Sequence, residues 1–255
     1  MPYLALAAAG LLTGVVAAIG GLGSLISFPA LLLFGLPPVP ANVTNTTALT
    51  SLFVSSLAGS ARELRSVLSR VLGLGALAAV GGGIGAWLLL HLPAAMFAAV
   101  VPILVALGSV LVLGRDQIRR RIDLRRMAKP STGRLGAWLS PLLVLLTCVY
   151  CGYFGAGAGI VMLAVLSLRY DETHAVTNAV RAVILAVANI VAAVVFIATS
   201  SVDWAAAGAL AAGMIPGGIL GMRLVPRLPG HRLRQVIGVL GLLLAAWLAY
   251  DLLAA

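Results

Sequence analysis

The stretch Gly20-Gly21-Leu22-Gly23-Ser24 interrupts an apolar run that extends from residue 3 to residue 34. A second glycine cluster, Gly155-Ala156-Gly157-Ala158-Gly159, interrupts a later apolar run in the same way. On either side of each cluster the run is shorter than the ~20 residues that a membrane-spanning helix needs. Paired interruptions in corresponding halves of a membrane protein are typical of the substrate site of a secondary transporter.

The composition indicates an integral membrane protein. Of its 255 residues, 62% are hydrophobic and 9% are charged, whereas about 25% are charged in an average soluble domain. The apolar segments are long and do not alternate with polar residues, so they favour helices over a β-barrel. We attribute the net charge of +10 to loops that are held in the cytoplasm rather than to nucleic-acid binding.

The chain repeats one plan twice. Three pairs of glycines share one spacing: Gly23 and Gly159, Gly81 and Gly217, and Gly85 and Gly221. The sequence therefore predicts a first membrane repeat at 1–114, a basic cytoplasmic linker at 115–135 and a second membrane repeat at 136–255. We interpret the glycine pairs outside the two breaks as points where helices pack closely.

Each repeat contains an interrupted segment followed by three predicted spans. These lie near 42–61, 71–91 and 94–114 in the first repeat, and near 173–200, 204–224 and 235–253 in the second. Residues 35–40, with three prolines, are expected to form a turn that is not helical. Residues 169–172 form the corresponding turn in the second repeat.

The positions of the arginines distinguish two topologies. If each interrupted segment crossed the bilayer once, the arginines at 223–234 would lie on the side opposite the basic linker. If each is a re-entrant hairpin, the halves are inverted and every Lys and Arg except Arg181 lies in the cytoplasm, as the positive-inside rule requires. The expected fold is an all-α polytopic membrane protein with two inverted repeats, each a broken, re-entrant helical hairpin plus three transmembrane helices. We expect it in the bacterial inner membrane with both termini outside.

The helix breaks favour an anion. A helix that restarts at Gly23-Ser24 or at Gly159 offers free N–H groups and a positive dipole end at mid-depth. Arg181 is the one charge inside an apolar segment, about 12 Å along its helix from Thr173. Two explanations stay open for Arg181, namely an anionic ligand or snorkelling of the side chain to the headgroups. For the glycines the alternative is close helix packing alone.

Polar residues behind each break extend this candidate site. Asn178, Arg181, Leu185 and Asn189 share one helical face, and Asn45, Ala48, Leu52 and Ser56 form the equivalent face in the first repeat. The expected substrate-binding residues are Gly21, Gly23, Ser24, Thr44, Asn45, Gly157, Gly159, Thr177, Asn178, Arg181 and Asn189. Hydrogen bonding of the Asn and Thr side chains to neighbouring helices is the alternative.

Catalysis has little support in the sequence. Cys148 and Cys151 form a C-x-x-C without the second pair that a zinc site needs, and we interpret both as buried core residues. A redox role for them is the alternative. His174, beside Asp171 and Glu172, is a candidate proton gate. No enzyme activity, cofactor or metal is expected.

Four features occur together in the first repeat: the first break, Pro29, Gly35-Leu36-Pro37-Pro38 and residues 41–45. This combination resembles the sulfite exporter TauE/SafE family, also called the toluene sulfonate uptake permease group. The second break, with Asp171, Ala175, Thr177 and Asn178, is similar to the same motif repeated. The resemblance implies a secondary transporter that moves sulfite, sulfonates, sulfoacetate or related small anions by alternating access.

The expected partners are that anion and the lipid bilayer, without nucleic acid. A passive anion channel and a transporter of small carboxylates are the alternatives. Export of an anion from a negative interior is favoured by about 2.3 kcal/mol per 100 mV, and the sequence offers no buried Asp or Glu to carry a coupling ion. The direction of transport, a coupling proton and oligomerisation stay open.

Overall fold

The computed structural model describes residues 2–20, 22–53, 63–128, 134–170, 172–224 and 230–254. Within these ranges ten helices contain ten or more residues. They are α1 (Pro2–Gly20), α2 (Ser24–Leu33), α3 (Pro38–Leu49), α4 (Leu68–His91), α5 (Ala94–Ala128), α6 (Arg134–Tyr153), α7 (Ala158–Arg169), α8 (His174–Thr199), α9 (Trp204–Leu224) and α10 (Gly230–Ala254).

Five of these helices are long and apolar enough to cross a membrane. The spans are Leu68–His91, Ala94–Ile118, Ala175–Thr199, Trp204–Gly221 and Gln235–Leu252. They match five of the six predicted spans and confirm the all-α polytopic class. The arms of the two interrupted segments, α1, α2, α6 and α7, contain shorter apolar stretches of 10–17 residues, as the two breaks predict.

The first interrupted segment folds back on itself. α1 ends at Gly20 and α2 begins at Ser24. Tyr3 lies near the beginning of α1 and Phe34 follows the end of α2, and their ring centroids are 5.4 Å apart. The chain therefore returns to the level at which it started, which is the geometry of a hairpin.

The second break lies between the end of α6 at Tyr153 and the beginning of α7 at Ala158. Gly155 and Gly157 have φ values of 79° and 76°, a left-handed conformation that residues with a Cβ rarely adopt. Phe154 packs edge-on against Phe28 of α2, with ring centroids 5.1 Å apart. The glycines make the turn, and the aromatic contact holds it against the first hairpin.

One expected turn is wrong in part. Residues 35–40 were expected to be non-helical because of their prolines, but α3 begins at Pro38 and includes Pro40. The first turn of a helix needs no intrahelical N–H donor, and proline has the φ value that a helix requires. The turn is therefore confined to the residues before Pro38.

The two repeats differ where the third segment passes through the molecule. α3 ends at Leu49, and the hydroxyl of Thr50 donates to the Thr47 carbonyl oxygen over 2.7 Å. The predicted span at 42–61 is thus interrupted after Leu49, and residues 54–62 lie outside the described ranges. Its counterpart α8 is continuous over 26 residues. The expected linker also begins as helix, since α5 continues to Ala128.

The helices form two bundles that do not coincide with the two sequence halves. α4 packs along α6 and α8, whereas α9 packs along α1 and α3. We call α4, α6, α7 and α8 bundle A, and α1, α2, α3 and α9 bundle B. α5 and α10 pack on each other and contact α7 and α2, respectively. Each half therefore contributes one span to the bundle that contains the other half's hairpin.

Glycines permit these exchanged contacts. A Cβ at Gly85 of α4 would collide with the carbonyl oxygen of Val149 in α6, and one at Gly217 of α9 with that of Leu11 in α1. The close approach of backbones confirms the interpretation of these glycines as helix contacts. Because the two contacts join equivalent helices, the two bundles are built alike.

Candidate functional site

A cavity of about 120 Å³ lies between bundles A and B, where the two breaks approach each other. Bundle B contributes mostly small residues to its wall: Gly14, Ala17, Ala18, Gly23, Ser24 and Gly218. Bundle A contributes polar side chains: Cys151, Asn178, Arg181 and Asn189, together with Gly159. The volume is sufficient for a small polyatomic ion with a few waters, since one water needs about 10–15 Å³ of this measure.

The polar wall comes from a single face of α8. Thr173 caps this helix, and its hydroxyl accepts a hydrogen bond from the Val176 N–H over 3.4 Å. From this start the 3.6-residue period brings Asn178, Arg181 and Asn189 to the cavity, with Leu185 between them. The four residues of the predicted polar face of the second repeat therefore line one cavity.

Arg181 is the charged group of the cavity wall. Its side chain is 3% exposed, and its Nε donates to Oδ1 of Asn178 over 3.1 Å. Within the described part of the chain, no carboxylate forms an ion pair with Arg181; the ion pair observed there joins Arg70 and Glu172. A snorkelling arginine would expose its head group to the interface, whereas this guanidinium is enclosed by protein. Of its five N–H donors, Nε is the one for which the described residues show an acceptor.

Two helix beginnings reach the same cavity. Gly23, the N-cap of α2, and Gly159, in the first turn of α7, lie on opposite walls. The N-caps of α2 and α7, Gly23 and Gly157, supply no side-chain hydrogen bond to the helix. Four N–H groups of the two helix beginnings donate to carbonyl oxygens three residues before them, namely those of Leu25, Ile26, Ala158 and Ile160. Among the described residues no backbone acceptor is found for the N–H groups of Ser24 and Gly159, and both helix ends carry a positive partial charge.

The structure places the remaining expected residues elsewhere. The Thr44 hydroxyl accepts from the Asp203 N–H over 3.2 Å, and the Thr177 hydroxyl donates to the Thr173 carbonyl over 3.1 Å. Gly157 packs on α5, where a Cβ would lie 3.1 Å from Cα of Gly108. Asn45 is fully buried and does not line the cavity.

Two expected positions cannot be located. Gly21, an expected ligand, and Ser56, on the expected polar face of the first repeat, lie outside the described residues. The cavity therefore brings together six of the expected residues, namely Gly23, Ser24, Gly159, Asn178, Arg181 and Asn189.

Sequence reasoning missed Cys151 as part of the wall. Both cysteines were expected in the core, and Cys148 lies in the apolar core of bundle A. Cys151 is also buried, yet it borders the cavity because it lies in the last turn of α6, directly before the break. The short distance in sequence between Cys151 and the glycine break was the signal that could have placed Cys151 at the cavity. Gly14 and Ala18, four residues apart on α1, were missed because small residues at such spacing commonly mark helix packing.

Comparisons with known proteins assign the chain to a family. A "Probable membrane transporter protein" of Haemophilus influenzae is 25% identical over 251 residues, covering 95% of this chain and 92% of that protein. The "Probable membrane transporter protein YfcA" of Escherichia coli K12 is 27% identical over 250 residues, covering 94% and 87%. No solved structure matches the chain. The family model "Sulfite exporter TauE/SafE" matches residues 6–248, and this multi-pass membrane protein therefore belongs to the sulfite exporter TauE/SafE family of membrane transporters.

Proposed function

We propose that the protein transports a small sulfur-containing anion, such as sulfite, a sulfonate or sulfoacetate, across the bacterial inner membrane. The observation that carries this proposal is the enclosed Arg181, which no described carboxylate neutralises, in a cavity that two helix beginnings without side-chain caps also reach. A buried charge without a partner is costly. A bound anion would supply that partner and also accept hydrogen bonds from the backbone N–H groups at Ser24 and Gly159.

The geometry of the donors suits a polyatomic oxyanion. A guanidinium presents parallel N–H groups that match two oxygens of a sulfonate or a carboxylate. Asn178 accepts from Nε of Arg181. The terminal Nη1 and Nη2 groups of the guanidinium are then the donors that we expect to bind a ligand. The family description favours the sulfur anions, and small carboxylates are the alternative substrate class.

The bundles are the bodies that we expect to move during alternating access. The polar wall, with Asn178, Arg181 and Asn189, belongs to bundle A, whereas Gly23 and Ser24 belong to bundle B. Rocking of one bundle against the other would open the cavity to one side and then to the other, around a fixed site. In this mechanism α4 moves with the second hairpin and α9 with the first.

The arrangement in the membrane is part of the proposal. We infer inverted repeats with both termini outside and the basic extension of α5 in the cytoplasm. The contact between Tyr3 and Phe34, at the open end of the first hairpin, supports a segment that enters and leaves on one side. The positive-inside rule then orients the molecule.

Ligand-dependent stabilisation tests the proposal directly. Detergent-purified protein should unfold at a higher temperature with sulfite, a sulfonate or sulfoacetate than with an equal concentration of chloride. Linkage gives about 2.7 kcal/mol at a hundredfold excess over Kd. Stabilisation by simple carboxylates alone would exclude the sulfur anions.

Flux measurements separate a carrier from a channel. In proteoliposomes loaded with unlabelled anion, a carrier should accelerate entry of labelled anion by counter-flow. Flux that is insensitive to the loaded anion would instead indicate a passive channel and would contradict alternating access.

A further inference from the structure

Three buried polar side chains in bundle B have atoms without partners. Thr13 of α1 and Asn42 and Asn45 of α3 are each 0% exposed. Among the described residues, no hydrogen-bond partner is found for Thr13 Oγ1, Asn42 Oδ1, or Oδ1 and Nδ2 of Asn45. Buried polar atoms are nearly always paired, because an unpaired one loses its hydration without compensation. Three orphaned oxygens in one bundle therefore indicate a ligand.

Thr13 of α1 and Leu49 of α3 border the same space beside Gly23. The space beside Gly23 is bounded by Thr13 Cγ2, Ala17 Cβ and Leu49 Cδ2, at 3.0, 3.3 and 3.4 Å from the position of a Cβ there. Ala17 and Leu49 line the cavity. Asn45 precedes Leu49 by four residues and shares its face of α3. Asn45 therefore lies on the face of α3 that approaches α1 beside Gly23, and we refer to Thr13 and Asn45 together as the polar layer.

Asn42 brings the end of a broken helix to this layer. Asn42 and Asn45 are three residues apart and share a face of α3. Asn42 Nδ2 donates to the carbonyl oxygen of Tyr153, the last residue of α6, over 2.8 Å. The carboxyl end of α6 carries a negative partial charge. The electrostatic environment of the layer therefore favours a cation, in contrast to the cavity, where two helix beginnings favour an anion.

The orphaned oxygens indicate which cation. Hydroxyl and amide oxygens are ligands for hard metal cations, but divalent ions are normally held with carboxylates, and the three side chains here are neutral. None of them titrates near neutral pH, so they are not carriers of a coupling proton. We propose that Thr13, Asn42 and Asn45 bind a sodium ion, with waters completing its shell and accepting from Nδ2 of Asn45.

The proposed sodium site gives the transporter a coupling ion. This role rests on the proposed anion transport. If the anion enters a cell with a negative interior, a sodium ion that is transported with it offsets the negative charge of the anion. Discontinuous helices in other transporters use the same division, with helix beginnings for anionic groups and helix ends and unwound carbonyls for sodium. Sodium binding itself does not depend on the identity of the anion.

Thermal unfolding with sodium as the sole variable tests the site. Purified protein is unfolded in sodium chloride and in choline chloride at equal concentration, without any sulfur anion or carboxylate. We expect a higher Tm in sodium chloride for the wild type and no difference for Thr13→Val or Asn45→Leu. Thr147→Val is the matched control, because that buried hydroxyl donates to Leu143 in its own helix; it should keep the sodium response. Equal Tm values for the wild type in the two salts, or an unchanged response in Thr13→Val and Asn45→Leu, would overturn the proposal.

Asn45→Asp keeps the test decisive if Asn45→Leu fails to fold. It preserves the side-chain size and adds a charge that attracts sodium. The sodium-dependent rise in Tm should exceed that of the wild type at neutral pH and diminish in acid, as the carboxylate becomes protonated. A sodium-dependent rise in Tm of Asn45→Asp that is no larger than in the wild type would contradict the sodium site. Arg181→Gln separates the two proposals, because it should lose stabilisation by the anion and keep the sodium-dependent rise in Tm.

Discussion

Arg181 combines two features that seldom occur together, burial inside a membrane protein and the absence of a described carboxylate partner. The neighbouring Asn178 orients it through Nε without neutralising it. The charge is therefore held in place while its field remains directed at the cavity. A hydrogen-bonded but uncompensated guanidinium is suited to a ligand that binds and leaves.

Replacing Arg181 tests whether this charge binds the anion. Arg181→Gln should weaken stabilisation by the sulfur anion by about 1.5–3 kcal/mol, the usual value of hydrogen bonds to a charged group, or roughly ten- to hundredfold in Kd. The measurement is a ligand titration followed by thermal shift. Arg120→Gln, at an exposed position of α5, removes the same charge outside the cavity and should bind as the wild type does. Equal affinity in both variants would remove Arg181 from the site.

Asn178→Asp makes the opposite test, because it adds a charge and keeps the shape. A carboxylate at this position would lie within 3.1 Å of Nε of Arg181 and form an internal ion pair. The pair would compete with the external anion, so anion-dependent stabilisation should be lost while the protein without ligand stays folded. Asn178→Ala, which adds no charge, should retain part of the response. Full anion binding by Asn178→Asp would contradict the proposed role of Arg181.

At the scale of helices, backbone contact takes the place of side-chain interdigitation. Lipid provides no hydrophobic drive for helices to associate, so close approach at small residues supplies much of the packing energy. Gly85 and Gly217 make such contacts between equivalent helix pairs of bundles A and B. Other glycines of the same helices face open space, for example Gly75 of α4 and Gly208 of α9.

This difference predicts opposite effects of one substitution on the same helix. Gly85→Ala would push against the Val149 carbonyl oxygen and the Tyr153 amide, and should lower the free energy of unfolding by about 1–3 kcal/mol. Gly75→Ala meets nothing within 4 Å and should be neutral or stabilising by up to about 1 kcal/mol. Thermal unfolding in detergent measures both. Equal destabilisation would mean that α4 does not approach α6 at Gly85.

The helix breaks were predictable because their causes are local. A backbone inside a bilayer must satisfy its own hydrogen bonds, so a glycine cluster flanked by short apolar runs indicates a broken helix. The helical start at Pro38 was missed because proline has opposite effects inside a helix and in its first turn. The end of α3 at Leu49 was also missed, since the hydroxyl contacts of Thr50 that accompany it have no distinctive sequence pattern.

At the scale of the whole molecule, the exchange of α4 and α9 ties the two repeats together. Each hairpin packs against a span from the other half, so neither half is a separate packing unit. The cavity lies between the bundles, where a rocking motion would change its shape most. This arrangement allows the site to contain different residues on its two sides although the halves are built alike.

Reporter fusions test the proposed orientation in the membrane. Alkaline phosphatase joined after Leu252 should be active, because the carboxyl terminus is expected outside, where this enzyme folds. The same reporter inserted after Ala128 should be inactive, because the basic extension of α5 is expected in the cytoplasm. A fluorescent protein that folds only in the cytoplasm should give the reverse pattern. Activity of the phosphatase at both positions would contradict the inverted topology.

The sequence by itself determined the membrane class, the five helices that are long and apolar enough to span a membrane, both breaks and the polar face of α8. The reason is that apolar length, backbone hydrogen bonding and helical period are properties of consecutive residues. It also singled out Arg181. The tertiary structure alone decided which helices became neighbours, and with them that Asn178 and Asn189 line the cavity while Thr44 and Asn45 lie elsewhere. The physical reason is that polar faces of equivalent helices look alike in sequence. Packing between distant segments decides which of them meets a cavity and which is buried.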